Sequence, residues 1–370
     1  MFRRSFFRFS AAAAWGQAFS GAAPPDEPAR NQQVIAAGDG IPLTPREYCQ
    51  LLEKLEVEPD RDCQQGVVGA LEAKFATLLG KERAVFLPTG TLANHLAVRL
   101  LAGSRRRILV QADSHLYNDC GDCAQMLSGL NLTPLPELTV QAVEAEIRRA
   151  ASGRVATPVG ALQIETPVRR RAGQLVDWKE MREICREARR RNLGLHLDGA
   201  RLFIASAYTG VSVQEYAELF DTVYVSLYKC FNAASGAVLA GPSSLLEQVP
   251  PLRRIFGATL NQAWPYAAVA LHFVEGFEQR FRAAKECSER VIALLERDAN
   301  FEVKRVAQGS NRFYLRVRGV NAQIFQHRLE SAGVTAPPPG EEEWFLLAVN
   351  ETWNRQTPEQ IVAAFRRALG

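Results

Sequence analysis

Two apolar stretches of this chain each end in polar and charged side chains. The first reads Leu195-His196-Leu197-Asp198-Gly199-Ala200-Arg201, and the second reads Val225-Ser226-Leu227-Tyr228-Lys229. Short apolar runs of this kind predict buried strands, and the ends of parallel strands meet at one edge of a sheet. The pattern therefore predicts that Asp198 and Lys229 lie at the same edge.

A carboxylate and an amine at one sheet edge are the partners that pyridoxal phosphate requires. Asp198 would keep the pyridinium nitrogen protonated, and Lys229 would bind the cofactor aldehyde covalently. An aspartate after a strand also commonly caps a following helix, so the pair needs further support.

That support lies upstream, where the predicted strand 84–87 leads into Thr89-Gly90-Thr91 and an apolar-periodic helix at about 92–101. Free amides at a helix start, together with threonine hydroxyls, form an anion site suited to the cofactor phosphate. An ordinary N-capped helix would have the same pattern.

His115 follows a second predicted strand, 108–111, and could lie flat against a cofactor ring. The alternative is a hydrogen-bonded loop histidine. Phosphate turn, ring-stacking histidine, aspartate and lysine nevertheless follow one another in sequence order.

From about Asp39 to the C-terminus the chain resembles the L-threonine aldolase branch of the aromatic amino acid beta-eliminating lyase group, within the pyridoxal-phosphate enzymes of fold type I. The resemblance is densest at 71–91, 195–205 and 229–241. It implies a catalytic role for Lys229, His115 and Asp198, a substrate-carboxylate contact for Arg201, and a cofactor site made by Thr89, Gly90, Thr91, His115, Asp198 and Lys229.

The chain also departs from that family. Tyr228 replaces the usual serine before the lysine, and Gly38-Asp39 stands where a serine would help to bind the substrate carboxylate. The segment 343–350 lacks the family's C-terminal arginine, whose planar fork leucine or phenylalanine cannot replace. The sequence leaves open whether Arg316 or another arginine substitutes for it. No histidine lies between His115 and His196, so the usual second active-site histidine is missing.

Strand and helix patterns alternate along most of the chain, which predicts an α/β fold with a mainly parallel sheet of the seven-stranded type flanked by helices. Strands are expected at 84–87, 108–111, 160–164, 193–197, 222–227 and 237–240. We expect residues 24–264 to form an N-terminal arm and large cofactor-binding domain. Residues 265–370 are expected to form a connecting helix, running to about 296, and a small α+β domain.

Arg3-Arg4-Ser5-Phe6-Phe7-Arg8 resembles a twin-arginine export signature, so residues 1–23 are predicted to be a removable signal peptide. Export to the periplasm is expected, with a basic start on a cytoplasmic protein as the alternative. Three positive charges of the formal +4 lie in this segment, and the remaining +1 argues against a nucleic-acid surface. The apolar stretch of this segment is too short to anchor the protein in a membrane, and no other segment is long enough, so the mature protein is expected to be soluble.

The sequence predicts no metal site. Cys120-Gly121-Asp122-Cys123 has redox spacing but lacks the second pair of a zinc ribbon, and an incidental pair is the simpler interpretation. A homo-dimer or homo-tetramer follows from the family resemblance.

The expected reaction is threonine-like cleavage of a β-hydroxy amino acid into glycine and an aldehyde. Three alternatives stay open: β-elimination from a serine, cysteine or aromatic amino acid; a transaminase-like or racemase-like activity; and an exported protein that kept the cofactor site but lost the chemistry.

Overall fold

The structure is a computed structural model that describes residues 30–370, so the predicted signal segment 1–23 lies outside it. Twelve strands are found in the described residues. They are β1 (Val34–Ile35), β2 (Arg83–Leu87), β3 (Arg107–Gln111), β4 (Asn131–Leu135), β5 (Val159–Glu165), β6 (Gly194–Asp198), β7 (Thr222–Ser226), β8 (Ala237–Gly241), β9 (Phe301–Arg305), β10 (Arg312–Val317), β11 (Val334–Thr335) and β12 (Phe345–Ala348).

Fifteen α-helices accompany these strands in the same part of the chain. They are α1 (Pro45–Glu53), α2 (Gly66–Leu78), α3 (Gly90–Ala102), α4 (His115–Asn118), α5 (Cys123–Ser128), α6 (Val140–Ala151), α7 (Trp178–Arg190), α8 (Leu202–Thr209), α9 (Val213–Glu218), α10 (Ser243–Leu246), α11 (Val249–Ile255), α12 (Trp264–Val274), α13 (Phe277–Leu295), α14 (Ala322–Ser331) and α15 (Pro358–Arg367).

The central sheet has seven strands in the order β2-β8-β7-β6-β5-β3-β4. Only β8 runs antiparallel to its neighbours, β2 and β7. Strands β5 and β7 are buried along their whole length, as expected for strands covered by helices on both faces. The expected α/β architecture with a mainly parallel sheet is confirmed.

A smaller unit follows α12. Strands β12, β10 and β9 form an antiparallel sheet, and its apolar side packs with α13, α14 and α15 in a separate core. The N-terminal arm joins this unit, because β1 pairs in parallel with β11. The expected boundary between residues 264 and 265 falls at the first residue of α12, and this helix packs on α2 of the large unit.

Two elements differ from the prediction. Strand β4 is not predicted, because its sequence Asn131-Leu132-Thr133-Pro134-Leu135 is a poor strand pattern. The proline is tolerated because β4 is an edge strand. The long helix expected from Pro265 to about Glu296 is two helices. It is broken at Gly276, whose φ of +67° lies in the left-handed region that glycine adopts readily.

A cluster of aromatic rings packs around Phe231, in the loop that carries Lys229. Phe231, two residues after Lys229, is fully buried and meets the rings of Phe75, Phe203 and Phe277 edge-on at centroid distances of 5.5, 5.0 and 5.2 Å. Edge-to-face packing of this kind is favourable beyond simple burial. The loop that carries Lys229 is thereby anchored in the main core.

We expect Phe231→Ala to lower the free energy of unfolding by about 3 to 5 kcal/mol, because it leaves a large cavity among these rings. Urea unfolding measures the change. Ile324→Ala is the control, since this side chain is 51% exposed and its removal should change stability by no more than about 0.5 kcal/mol. Equal effects of the two substitutions would contradict the anchoring role.

Candidate active site

Lys229 lies in the loop between β7 and β8, near the carboxyl edge of the sheet. Burial and the neighbouring Arg201 together lower the pKa of its amine to about 8, against the opposing charges of Asp198 and Asp39. A much larger part of the lysine population is therefore neutral, and hence nucleophilic, near neutral pH than for an exposed lysine.

The N-terminal arm closes against this loop. A side chain at Gly40 would collide with the carbonyl oxygen of Lys229 and with Asn232 Oδ1, so the backbones approach as closely as glycine allows. The Ile41 N–H donates to Asn232 Oδ1 at 2.6 Å. The arm thereby forms one wall of the lysine cavity.

Asp198 is the last residue of β6 and is 2% exposed. Its Oδ2 accepts a hydrogen bond from Asn94 Nδ2 at 2.6 Å, and its Oδ1 accepts one from the Ala200 N–H at 3.2 Å. These donors hold the carboxylate in one orientation and satisfy it in a buried position.

A chain of buried groups extends behind Asn94. Its Oδ1 lies 2.8 Å from His196 Nε2, and His196 Nδ1 lies 2.9 Å from Thr222 Oγ1. Burial lowers the pKa of His196 to about 4, so the ring is neutral near pH 7. Because the Asn94 amide nitrogen donates to Asp198, its Oδ1 accepts a hydrogen bond from His196 Nε2–H, and the neutral ring then accepts at Nδ1 from the Thr222 hydroxyl.

The predicted phosphate turn forms the start of α3. Thr89 is the N-cap, and its hydroxyl accepts from the Leu92 N–H at 3.2 Å, while the Ala93 N–H bonds to the Thr89 carbonyl at 3.2 Å. Gly90 and Thr91 therefore present the two amides of the first turn that these bonds do not use. Side-chain capping by Thr89 means that Gly90 and Thr91 are the better placed phosphate donors.

His115 begins the short helix α4 just beyond β3. Its backbone N–H donates to Glu165 Oε2 at 2.6 Å, and its Nδ1 lies 3.3 Å from Cys120 Sγ. The contact with Cys120 raises the pKa of the imidazole, as does the charge of Asp198, while burial and Lys229 act in the opposite direction. His115 and Lys229 line the same cavity, and the charge of Asp198 acts on both side chains.

Arg201 is buried and forms an ion pair with Asp39, at 2.7 Å between Nε and Oδ2. The other oxygen of Asp39 lies 3.5 Å from Arg312 Nη2. Burial would raise the pKa of Asp39, but Arg201, Arg312 and Lys229 together lower it below its ordinary value. Arg316, considered from sequence, instead pairs with Glu302 at 2.6 Å and stacks on Trp344.

Lys229, His115 and Arg201 line one cavity of about 570 Å³. It lies between the N-terminal arm, the carboxyl edge of the large sheet and the first residue of β10. Its polar and charged lining consists of Asp39, His115, Arg169, Arg201, Tyr228, Lys229 and Arg312.

The donor set fits pyridoxal phosphate. Lys229 supplies a primary amine of lowered pKa for the aldehyde, Asp198 supplies a hydrogen-bonded carboxylate for the ring nitrogen, and His115 supplies an aromatic face. Helix α3 supplies an N-terminus for the phosphate. In residues 30–370, no group of three or more His, Cys, Asp or Glu side chains is arranged to hold a metal ion.

Sequence reasoning missed several residues of this site. Glu165 ends β5 beside Asp198, and the signal that identified Asp198, a carboxylate after an apolar run, would have found it too. Asn94 lies one turn into α3. A single amide side chain in an apolar helix is a weaker indication of a functional residue than a carboxylate after an apolar strand. Arg312 gives no local signal, because it simply begins an alternating strand. The thiols of Cys120 and Cys123 are both free.

The sequence model of the beta-eliminating lyase family matches residues 53–317, which is most of the chain. The chain belongs to the beta-eliminating lyase family.

Its relatives carry more specific names. The low-specificity L-threonine aldolase of Candida albicans is 29% identical over 212 residues, and the alanine racemase TOXG of Cochliobolus carbonum is 32% identical over 205 residues. The matches cover 55% and 54% of this chain and 56% and 52% of these relatives, so the chain matches only about half the length of each.

Structural similarity extends further along the chain. A Listeria monocytogenes EGD-E protein, provisionally named L-allo-threonine aldolase, superposes with a TM-score of 0.75 at 26% identity. The superposition covers 91% of this chain and 96% of that protein. The prediction of the fold type I architecture is confirmed.

We expect Asn94→Ala to weaken pyridoxal phosphate binding to the cofactor-free protein about tenfold or more, because the carboxylate of Asp198 loses the hydrogen bond that Asn94 donates. Absorbance titration with the cofactor measures the change. Asn354→Ala is the control, since its exposed amide donates to the Arg280 carbonyl at 2.8 Å and does not line the cavity. Unchanged affinity in the Asn94 variant would show that Asp198 does not depend on this donor.

The lowered pKa of Lys229 predicts its pH-dependent reactivity. Because only the neutral amine reacts, labelling of the cofactor-free protein with acetic anhydride should reach half its maximum rate near pH 8 at Lys229. Ordinary exposed lysines reach it near pH 10.4. Mass spectrometry of a digest compares both classes in one sample. A midpoint for Lys229 that coincides with the exposed lysines would contradict the burial effect.

Proposed function

We propose that the protein is a pyridoxal-phosphate-dependent lyase that cleaves a β-hydroxy amino acid into glycine and an aldehyde. The observation that carries the proposal is that Lys229 and His115 line one cavity, with the charge of Asp198 acting on both. Cys120 connects His115 to the start of α3, because its Sγ lies 3.3 Å from His115 Nδ1 and 3.6 Å from Thr91 Oγ1. Membership of the beta-eliminating lyase family and the threonine aldolase names among the relatives support it.

Five positions would hold the cofactor. Lys229 would bind the aldehyde, Asp198 the ring nitrogen, His115 the ring face, and Gly90 and Thr91 the phosphate. When bound, the cofactor accepts the electron pair of a bond broken at the substrate α-carbon. The chain's own residues set the conditions for that step.

Asp198 would hold the ring nitrogen in its protonated form by accepting a hydrogen bond from it. Asn94 fixes its direction, and the neutral ring of His196 behind Asn94 keeps the network from adding a positive charge. At the other side, the lowered pKa of Lys229 lets its amine exchange with a substrate amine and hold or release a proton near neutral pH. The basic groups around the cavity favour an anionic ligand such as an amino acid carboxylate.

The closest alternative is a different reaction on the same cofactor. No histidine lies between His115 and His196, so the proton acceptor that the family resemblance implied for aldol cleavage is missing. One relative at 32% identity is named an alanine racemase. Product analysis therefore has to distinguish aldol cleavage, β-elimination and racemisation.

The loaded protein is expected to release acetaldehyde and glycine from threonine. Lys229→Ala should reduce the rate by about a hundredfold or more, because both the covalent bond and a proton-transfer group are lost. Lys74→Ala, which removes only a surface ion pair with Glu275, should leave the rate unchanged.

Other products would indicate a different activity. Pyruvate with ammonia from serine, cysteine or an aromatic amino acid would indicate β-elimination, and inversion at the α-carbon would indicate a racemase. Amino-group transfer to a keto acid would indicate a transaminase. Cofactor binding without turnover of any amino acid would indicate a binding protein.

We also propose export by the twin-arginine route and assembly as a homo-dimer or homo-tetramer. The Arg3-Arg4 signature supports export, with a cytoplasmic location as the alternative. Tyr228, beside the lysine, is 47% exposed and could be covered by a second copy. Replacing both arginines with lysine should retain the protein in the cytoplasm, and light scattering measures the assembly. Within residues 30–370, no helix has the length and hydropathy needed to cross a bilayer.

A further inference from the structure

The carboxylate of Asp39 lies between two guanidinium groups from different parts of the fold. Its Oδ2 pairs with Arg201 Nε at 2.7 Å, and its Oδ1 lies 3.5 Å from Arg312 Nη2. We propose that Arg312 acts with Arg201 to bind the substrate α-carboxylate, and that Asp39 holds the two arginines in place. The inference rests on the proposed function and names the group that selects free amino acids.

Arg312 reaches the cavity from the small unit. It is the first residue of β10, opposite Ala348 on β12, and it lines the same cavity as Arg201 and Lys229. The segment 343–350, which includes β12, contains no arginine, so β10 provides the guanidinium in this region. No sequence pattern predicts this location, because two strands distant in sequence must first pair.

The hydrogen bonds of Arg312 are incomplete. The Nε of Arg312 is buried and has no hydrogen-bond partner among the described residues, and the 3.5 Å contact of its Nη2 with Asp39 is at the long limit of a hydrogen bond. A buried N–H without an acceptor is unfavourable. A carboxylate entering the cavity would supply the missing acceptor, and an arginine fork suits a carboxylate better than a point charge does.

The charge of the cavity favours the same ligand. Arg169, Arg201, Lys229 and Arg312 line it, and Asp39 is the one acidic residue among the described residues of the lining. Arg201, Arg312 and Lys229 outweigh the effect of burial and lower the pKa of Asp39, which keeps this carboxyl ionised. The single carboxylate of Asp39 cannot neutralise these four basic side chains. The cavity therefore retains positive charge, which favours a second carboxylate.

The geometry also indicates that both arginines can serve one ligand. Because opposite oxygens of a single carboxylate already contact Arg201 and Arg312, the two guanidinium groups are spaced for a group of that size. A free α-carboxylate placed beside Asp39 could therefore contact both. Amines without that carboxylate, and amino acid esters or amides, would lose this interaction.

The experiment compares glycine with methylamine, which has the amine but no carboxylate. The pyridoxal-phosphate-loaded protein is titrated with each ligand, and the change in cofactor absorbance gives both dissociation constants. We expect Arg312→Leu to weaken glycine binding about ten- to a hundredfold and to leave methylamine binding unchanged. Arg312→Lys, which keeps the charge without the fork, should be intermediate.

Arg316→Leu is the matched control. Arg316 lies on the same strand and the same face as Arg312, and it also pairs with a carboxylate, but it does not line the cavity. The ratio of glycine affinity to methylamine affinity should remain at the wild-type value in this variant. A general loss of folding or of cofactor would change both ligands together.

A double variant tests whether Arg312 serves only as a counter-ion to Asp39. If so, Asp39→Asn combined with Arg312→Leu would recover the wild-type ratio, and the inference would be overturned. Equal weakening of glycine and methylamine, or no weakening of either, would overturn it as well. In both cases the wild-type response to glycine would leave the proposed function intact. A wild-type protein that responds to neither ligand would reject the proposed function and this inference with it.

Discussion

The buried carboxylate of Asp198 is the constraint around which the site is arranged. A carboxylate at 2% exposure is tolerated only when hydrogen bonds replace its water, and Asn94 provides the shortest of them. Asn94 is in turn held by His196, and His196 by Thr222. This single chain of contacts joins α3 to strands β6 and β7.

Helix α3 therefore has two roles. Its first turn presents the Gly90 and Thr91 amides as an anion site, and Asn94, one turn later, orients Asp198. A pyridine ring and its phosphate would thus be positioned by two points on the same rigid element. Sites built on such elements hold their geometry more precisely than sites built on loops alone.

The substrate side of the cavity is assembled from three parts of the chain. The N-terminal arm brings Asp39, the large sheet brings Arg201, and the small unit brings Arg312. Glu165 stabilises the neighbouring loop by accepting the backbone N–H groups of His115 and Arg169 at 2.6 and 2.8 Å. Burial and the charge of Asp198 raise the pKa of Glu165 to about 7.

Sequence by itself determined the elements whose chemistry is local. Apolar runs ending in Asp198 and before Lys229, and the Thr89-Gly90-Thr91 turn, follow from patterns within a few residues, and they were enough to predict the sheet and its functional edge. The tertiary structure decided the break at Gly276, the edge strand β4 and the location of Arg312 in the cavity. These depend on which distant segments pack together, and no local periodicity records that choice.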